Sequence, residues 1–175
     1  LASMTFERWG LGPGRVTLSN SGFEAVETAI KTALLATGKP EIVSFKGGYH
    51  GLGYGTLLTG SFPKFRAPFA SQLASLGHRL TYPRNESELD LLESELGALD
   101  ASQIGAVVVE PIQGRGGKVV PAERFHHFLR QWCDRHGALL VHDEIYSGFQ
   151  RTGKLFASDW WGVQPDLLCV GKALS

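Results

Sequence analysis

The fold class this sequence predicts is α/β, a three-layer α/β/α arrangement with helices on both faces of a mostly parallel sheet. Two patterns carry that expectation. Short apolar runs such as GAVVV (105–109) are continuous rather than alternating, which marks strands buried on both faces. Between them lie stretches with helical apolar spacing, and strands that alternate with amphipathic helices form layered parallel sheets. A third pattern points beyond fold. Three strand-like runs end in a charged residue: Glu110 after AVVV, Asp143 after LLVH and Lys172 after LLCVG.

Taken in order, the first helix runs over about 24–37. Ala25/Val26, Ala29/Ile30 and Ala33/Leu34 recur on one face, Ser21 and Glu24 have capping-box spacing, and Gly38 with Pro40 stops it. EIVSF (41–45) reads as a short strand leading into the loop KGGYHGLGYG. Asn85 and Glu88 open a second helix with Leu89, Leu92, Leu96 and Leu99 on one side. IGAVVVEPI is the next strand. Pro121 starts a third helix whose stripe is Phe125, Phe128, Leu129, Trp132 and Cys133, ended by Gly137. ALLVHDEI and DLLCV (166–170) complete the strands, and no linker or internal repeat divides the chain.

Composition bounds the function. The 175 residues suffice for one sizeable core, and Lys+Arg and Asp+Glu both number 17. A net charge of zero without basic runs argues against nucleic acid and acidic membranes as partners. No apolar stretch is long enough to span a bilayer, the N-terminus lacks a secretory pattern, and Cys133 and Cys169 read as buried free thiols. A cytoplasmic location is the expectation.

Sites in parallel sheets form at the carboxyl edge of the strands, and a carboxylate buried there needs a partner. A P-loop nucleotide site fails. GFQRTGK (148–154) has GxxxxGK spacing, but Leu155 stands where a magnesium-binding hydroxyl is required, and the loop follows the acidic strand instead of preceding it. A metal site fails too. The six histidines form no HExxH; His126 and His127 read as solvated or partly packed helix positions, and His142 as a satisfied core histidine. Pyridoxal phosphate fits better. It needs a lysine, an acid at its ring nitrogen, a stacking surface and a phosphate cradle. Lys172 and Asp143, on neighbouring parallel strands, supply the first two.

The segments SNSGFEAVETAIKTALLATG, FKGGYHG, VVVEPIQGRGG, LLVHDEIYSGFQRTGKLFA and QPDLLCVGKALS resemble, in that order, the motifs of class III aminotransferases. These are pyridoxal-phosphate enzymes of the ornithine/4-aminobutyrate group with the fold type I large domain. The resemblance runs from about Val16 to the final residue and implies a seven-stranded, mostly parallel domain. It implies that Lys172 is the Schiff-base lysine and Asp143 the partner of the pyridine nitrogen. Ile145 would pack on one face of the ring and Tyr49 on the other, with His50 and Glu110 nearby. Ser21, Gly22 and Phe23 would form the phosphate-binding turn. Three positions depart from the family pattern. Phe23 stands where Ser or Thr is usual. Tyr146 replaces a frequent Gln and would meet the ring hydroxyl. Arg115 replaces a frequent Glu, and is expected either to bind a substrate carboxylate or to be a solvent-exposed loop arginine. The implied reaction is amino-group transfer from an amino donor to a keto acid acceptor, in a homodimer. A same-fold aminomutase, racemase or decarboxylase is the alternative, as is a piece with no catalysis of its own. The chain is expected to be part of the cofactor-binding large domain, residues 1–175, without the C-terminal small domain.

Overall fold

The computed structural model describes residues 1–174. Helix α1 (Gly22–Thr37) buries Val26, Ala29 and Ala33, and Gly38 closes it in the left-handed conformation at φ 69°. Strand β1 (Glu41–Phe45) follows, then two short helices, α2 (Tyr54–Thr59) and α3 (Pro63–Arg66). Strand β2 (Gly77–Leu80) pairs in parallel with β1. Helix α4 (Glu86–Gly97) is capped by the Asn85 side chain, which accepts from the Glu88 N–H at 3.0 Å. Strand β3 (Ile104–Val109) is buried at all six positions. Helix α5 (Phe125–His136) ends at Gly137, φ 62°. Strands β4 (Leu139–Asp143) and β5 (Leu167–Cys169) complete a sheet of order β2-β1-β3-β4-β5, parallel throughout.

Three layers result. On one face Val26, Ala29 and Ala33 of α1 meet Ile42, Ala106, Val108, Val141 and Cys169. On the other, α4 and α5 lay Leu89, Leu92, Leu96, Phe125, Leu129 and Cys133 against Phe45, Val107, Val109 and Leu140. Each buried Val, Leu, Ile or Phe among them contributes roughly 1.5–3 kcal/mol. This two-sided burial is why the strand sequences read as continuous apolar runs. Both cysteines are free and buried, and burial pushes the Cys133 thiol up to about 12.

Several local expectations are corrected. The third helix starts at Phe125, not Pro121; the residues between them join the sheet side through the Ala122 N–H, which donates to the carbonyl of Pro83 at 2.8 Å. Strand β2 and the short helices α2 and α3 add to the elements expected from the sequence. Ser21 occupies the N-cap of α1, yet its side chain caps nothing; its hydroxyl donates to Glu24 Oε2 at 3.0 Å, and the Asn20 N–H donates to the same oxygen at 2.9 Å. His126 is fully buried rather than solvated, with Nε2 on the carbonyl of Pro111 at 3.0 Å and its ring against Trp161. His142 is a core residue but not a satisfied one, since neither ring nitrogen has a hydrogen-bond partner among the described residues. Five strands are described where the family's domain was expected to hold seven.

Candidate active site

The carboxyl edge of β4 and β5 organises the site. Asp143, the last residue of β4, stands in register with Cys169 of β5, and the Glu144 N–H continues the ladder to the Cys169 carbonyl at 2.9 Å. Lys172 lies three residues beyond Cys169 at the same edge. Its backbone takes φ 48°, a left-handed conformation unusual outside glycine, and its amine lies 5.7 Å from the centroid of the Tyr146 ring.

Asp143 is 4% exposed. Its Oδ1 accepts the Ile145 N–H at 3.1 Å, and its Oδ2 lies 2.8 Å from His50 Nδ1. Burial of His50 works against protonation. The hydrogen bond and charge of Asp143, then the charge of Glu110, outweigh it, and the imidazole pKa is raised. Its Nε2 is buried with no hydrogen-bond partner among the described residues.

Glu110, just past β3, ties two loops together. One carboxylate oxygen accepts the Tyr49 N–H at 2.8 Å and the other the Gly114 N–H at 2.9 Å. Burial raises its pKa; the charge of His50 opposes this, Asp143 adds to it, and the two N–H donors oppose it. Tyr49, half-buried, packs on Phe62 and Phe65, and the exposed Arg115 guanidinium sits 4.3 Å from the Tyr49 ring centroid and 5.5 Å from that of Phe65.

Glycines let these pieces touch. A Cβ on Gly22 would lie 2.9 Å from Ile145 Cδ1, so the start of α1 abuts the residue two past Asp143. A Cβ on Gly114 would lie 2.6 Å from Tyr146 Cδ1, so that ring lies directly on the glycine backbone. Phe23 turns its side chain onto Gly51 and Gly53, where added Cβ atoms would meet it at 2.2 and 2.8 Å. It therefore packs the loop after His50 and offers the first turn only its N–H.

The structure links the residues expected around the cofactor pairwise: Gly22 meets Ile145, Ile145 and His50 both meet Asp143, Glu110 holds Tyr49 and Gly114, Gly114 seats Tyr146, and Arg115 lies on Tyr49, with Lys172 Nζ 5.7 Å from the Tyr146 ring centroid. Sequence reasoning missed Gly114, which seats Tyr146, and Glu144, which is fully buried. The Glu144 carboxylate accepts from Ser147 Oγ at 2.5 Å, the Ala157 N–H at 3.0 Å and the Ser158 N–H at 2.8 Å. The DE pair itself was the available signal for Glu144. No group of three or more His, Cys, Asp or Glu suited to a metal ion exists among the described residues.

The chain is 38% identical to an omega-aminotransferase of Caulobacter vibrioides, over 94% of this chain and 42% of that protein. It is also 38% identical to a 4-aminobutyrate aminotransferase of Mycobacterium tuberculosis, over 95% of this chain and 41% of the relative. Among solved structures it resembles a PLP-bound amine transaminase from an uncultivated Pseudomonas species, with TM-score 0.85 and 33% identity, over 97% of this chain and 43% of that one. The chain spans about two-fifths of the length of the curated relatives it matches. The model of the family "Aminotransferase class-III" matches residues 2–175, and the chain belongs to that family.

Proposed function

We propose that this chain supplies part of the pyridoxal-phosphate-binding large domain of an aminotransferase, and that the parent protein transfers an amino group from an amino donor to a keto acid acceptor. The observation that carries the reading is the shared edge: Asp143 in register with Cys169, and Lys172 three residues further along with its amine over Tyr146. The residues present fit the cofactor. The first turn of α1 has no side-chain cap, so its N–H groups and the helix dipole can receive a phosphate, and Gly22 keeps that turn against Ile145. The Asp143 carboxylate is held in a buried position where a protonated ring nitrogen would match its charge, while His50 fixes its orientation.

Bound there, pyridoxal phosphate supplies the electron sink for a bond to the substrate Cα. Lys172 Nζ would hold the cofactor and would serve as the base that moves a substrate proton. Asp143 would favour a protonated ring nitrogen. Ile145, Tyr49 and Tyr146 would line the ring's slot, and Glu110 holds the Tyr49 and Gly114 loops in place. Arg115, stacked on Tyr49 with no carboxylate among the described residues within ion-pair distance, binds a substrate carboxylate as a fork. A homodimeric assembly and a cytoplasmic location belong to the same proposal; no helix among the described residues is long and apolar enough to cross a membrane.

The test is to add pyridoxal phosphate to the chain, reduce with borohydride and map the labelled peptide. Labelling at Lys172, with a visible absorption band that Lys172→Ala abolishes, is the expected result. Labelling spread over surface lysines, and unchanged in Lys172→Ala, contradicts the reading.

A further inference from the structure

A second cationic site lies at the β2 edge of the sheet, away from Asp143 and Lys172. Pro63, Arg66, Ala67, Ala70, Leu73, Ala74, Gly77 and Arg79 are among the residues around a cavity of about 420 Å³. Two guanidiniums meet there because both reach the C-terminal end of α2. Arg66 Nε donates to the carbonyl of Leu57 at 2.7 Å, and Arg79 Nη1 to the carbonyl of Leu58 at 2.8 Å. Gly77 allows that approach, since a Cβ there would sit 2.5 Å from the Leu58 oxygen.

A helix C-terminus carries roughly half a negative charge, which does not balance two arginines. Among the described residues neither Arg66 nor Arg79 has a carboxylate within ion-pair distance. The neighbouring carboxylate, Glu41, is taken by His78 at 2.8 Å. Partial burial and then the charge of Arg66 lower the Arg79 pKa, so the two cations are close enough to repel. Each guanidinium presents five N–H donors and a single hydrogen bond is described for each, so most of their donors face the cavity or solvent.

We propose that this cavity binds a small organic oxyanion, a phosphate ester or dicarboxylate, gripped by Arg66 and Arg79. Fork-shaped guanidiniums recognise such groups bidentately. Ala67, Ala70 and Leu73 wall the remaining space with apolar surface, and the volume falls in the range of small-molecule sites. The proposal does not depend on the active-site reading.

The experiment is titration of the ¹⁵N-labelled chain with inorganic phosphate and, separately, with succinate, followed by amide shifts. Saturable shifts at Gly77–Leu80 and at 66–74 are expected for both probes. They should weaken with added salt, be absent with uncharged succinamide, and lose at least about tenfold in affinity in Arg79→Gln and Arg66→Gln, the loss expected for a charge-assisted hydrogen bond. Shifts at only one anion's addition narrow the ligand to that arm's chemistry. Shifts confined to the first turn of α1, or no saturable shift in this region of the unsubstituted chain, overturn the proposal without any variant having to fold.

Discussion

Asp143 and Glu144 are adjacent carboxylates, both almost wholly shielded from water, yet their surroundings divide the work between them. Glu144 is met by the chain itself. A hydroxyl and two backbone N–H groups from residues 147, 157 and 158 close around it, and its carboxylate pins the loop that follows β4. Burial raises its pKa, and those three donors oppose the shift. Asp143 receives one backbone N–H and a titratable imidazole, His50, whose own pKa its charge raises. The comparison teaches that burial alone does not mark a functional acid. What marks Asp143 is that its balancing charge is supplied by a group able to gain or lose a proton, at an edge shared with Lys172.

The largest expected effect breaks the structural member of the pair. Glu144→Ala leaves three buried donors without an acceptor, and at about 1–3 kcal/mol each it should cost about 3 kcal/mol or more in urea unfolding. Asp143→Asn keeps an acceptor for the Ile145 N–H and should cost only about 1–2 kcal/mol, while weakening pyridoxal phosphate binding by far more than that stability change. Equal stability losses in the two variants would erase the distinction.

A pH experiment sharpens the contrast with the buried histidines behind the sheet. Burial pushes His126 down to about 4, and burial, then His126 and Arg130, push His142 well below its ordinary value. The unfolded chain binds protons near pH 6.5 and the native state does not. Their contribution is therefore fully present above about pH 6.5 and lost as pH falls toward the folded values, by about 1.4 kcal/mol per pH unit for each histidine. His142→Leu should flatten that acid limb and raise stability at neutral pH, because it removes two buried nitrogens that have no partner among the described residues. An acid limb unchanged from wild type would show that His142 does not carry it.

Two smaller effects concern the loops that Glu110 joins. Gly114→Ala puts a methyl into the Tyr146 ring and should cost about 1–3 kcal/mol of strain, with Tyr146 displaced in the crystal structure of the variant. Arg115→Glu lies on the surface and should leave stability within about 0.5 kcal/mol. In the intact parent enzyme it should lower preference for carboxylate-bearing substrates, and an unchanged donor and keto-acid profile removes Arg115 from the site.

Much of this was legible because the physics is local. Strands β3 and β4 are apolar runs buried on both faces, and α4 announces itself through Asn85 and the Leu89–Leu92–Leu96 spacing. Strand β2 was not legible: GHRL has a single buried residue, and its strand character comes from pairing with β1 across more than thirty residues of chain. The capping-box expectation fails for a local reason instead: Glu24 accepts from the Asn20 N–H and the Ser21 hydroxyl, so the Ser21 side chain does not reach the first-turn N–H groups. At the site, Lys172 and Asp143 stood out as charges ending apolar runs. The role of Glu144 did not, because two of its three donors lie 13 and 14 residues further on.

The central claim is that Asp143 faces the protonated ring nitrogen of a cofactor anchored at Lys172. Its most direct test is the ¹⁵N resonance of pyridoxal phosphate labelled at the pyridine nitrogen and bound to the chain. A protonated-range shift in the wild type that moves to the unprotonated range in Asp143→Asn, but stays put in Glu144→Gln, is the predicted result. The same shift in wild type and Asp143→Asn, with Lys172 still labelled, would contradict it.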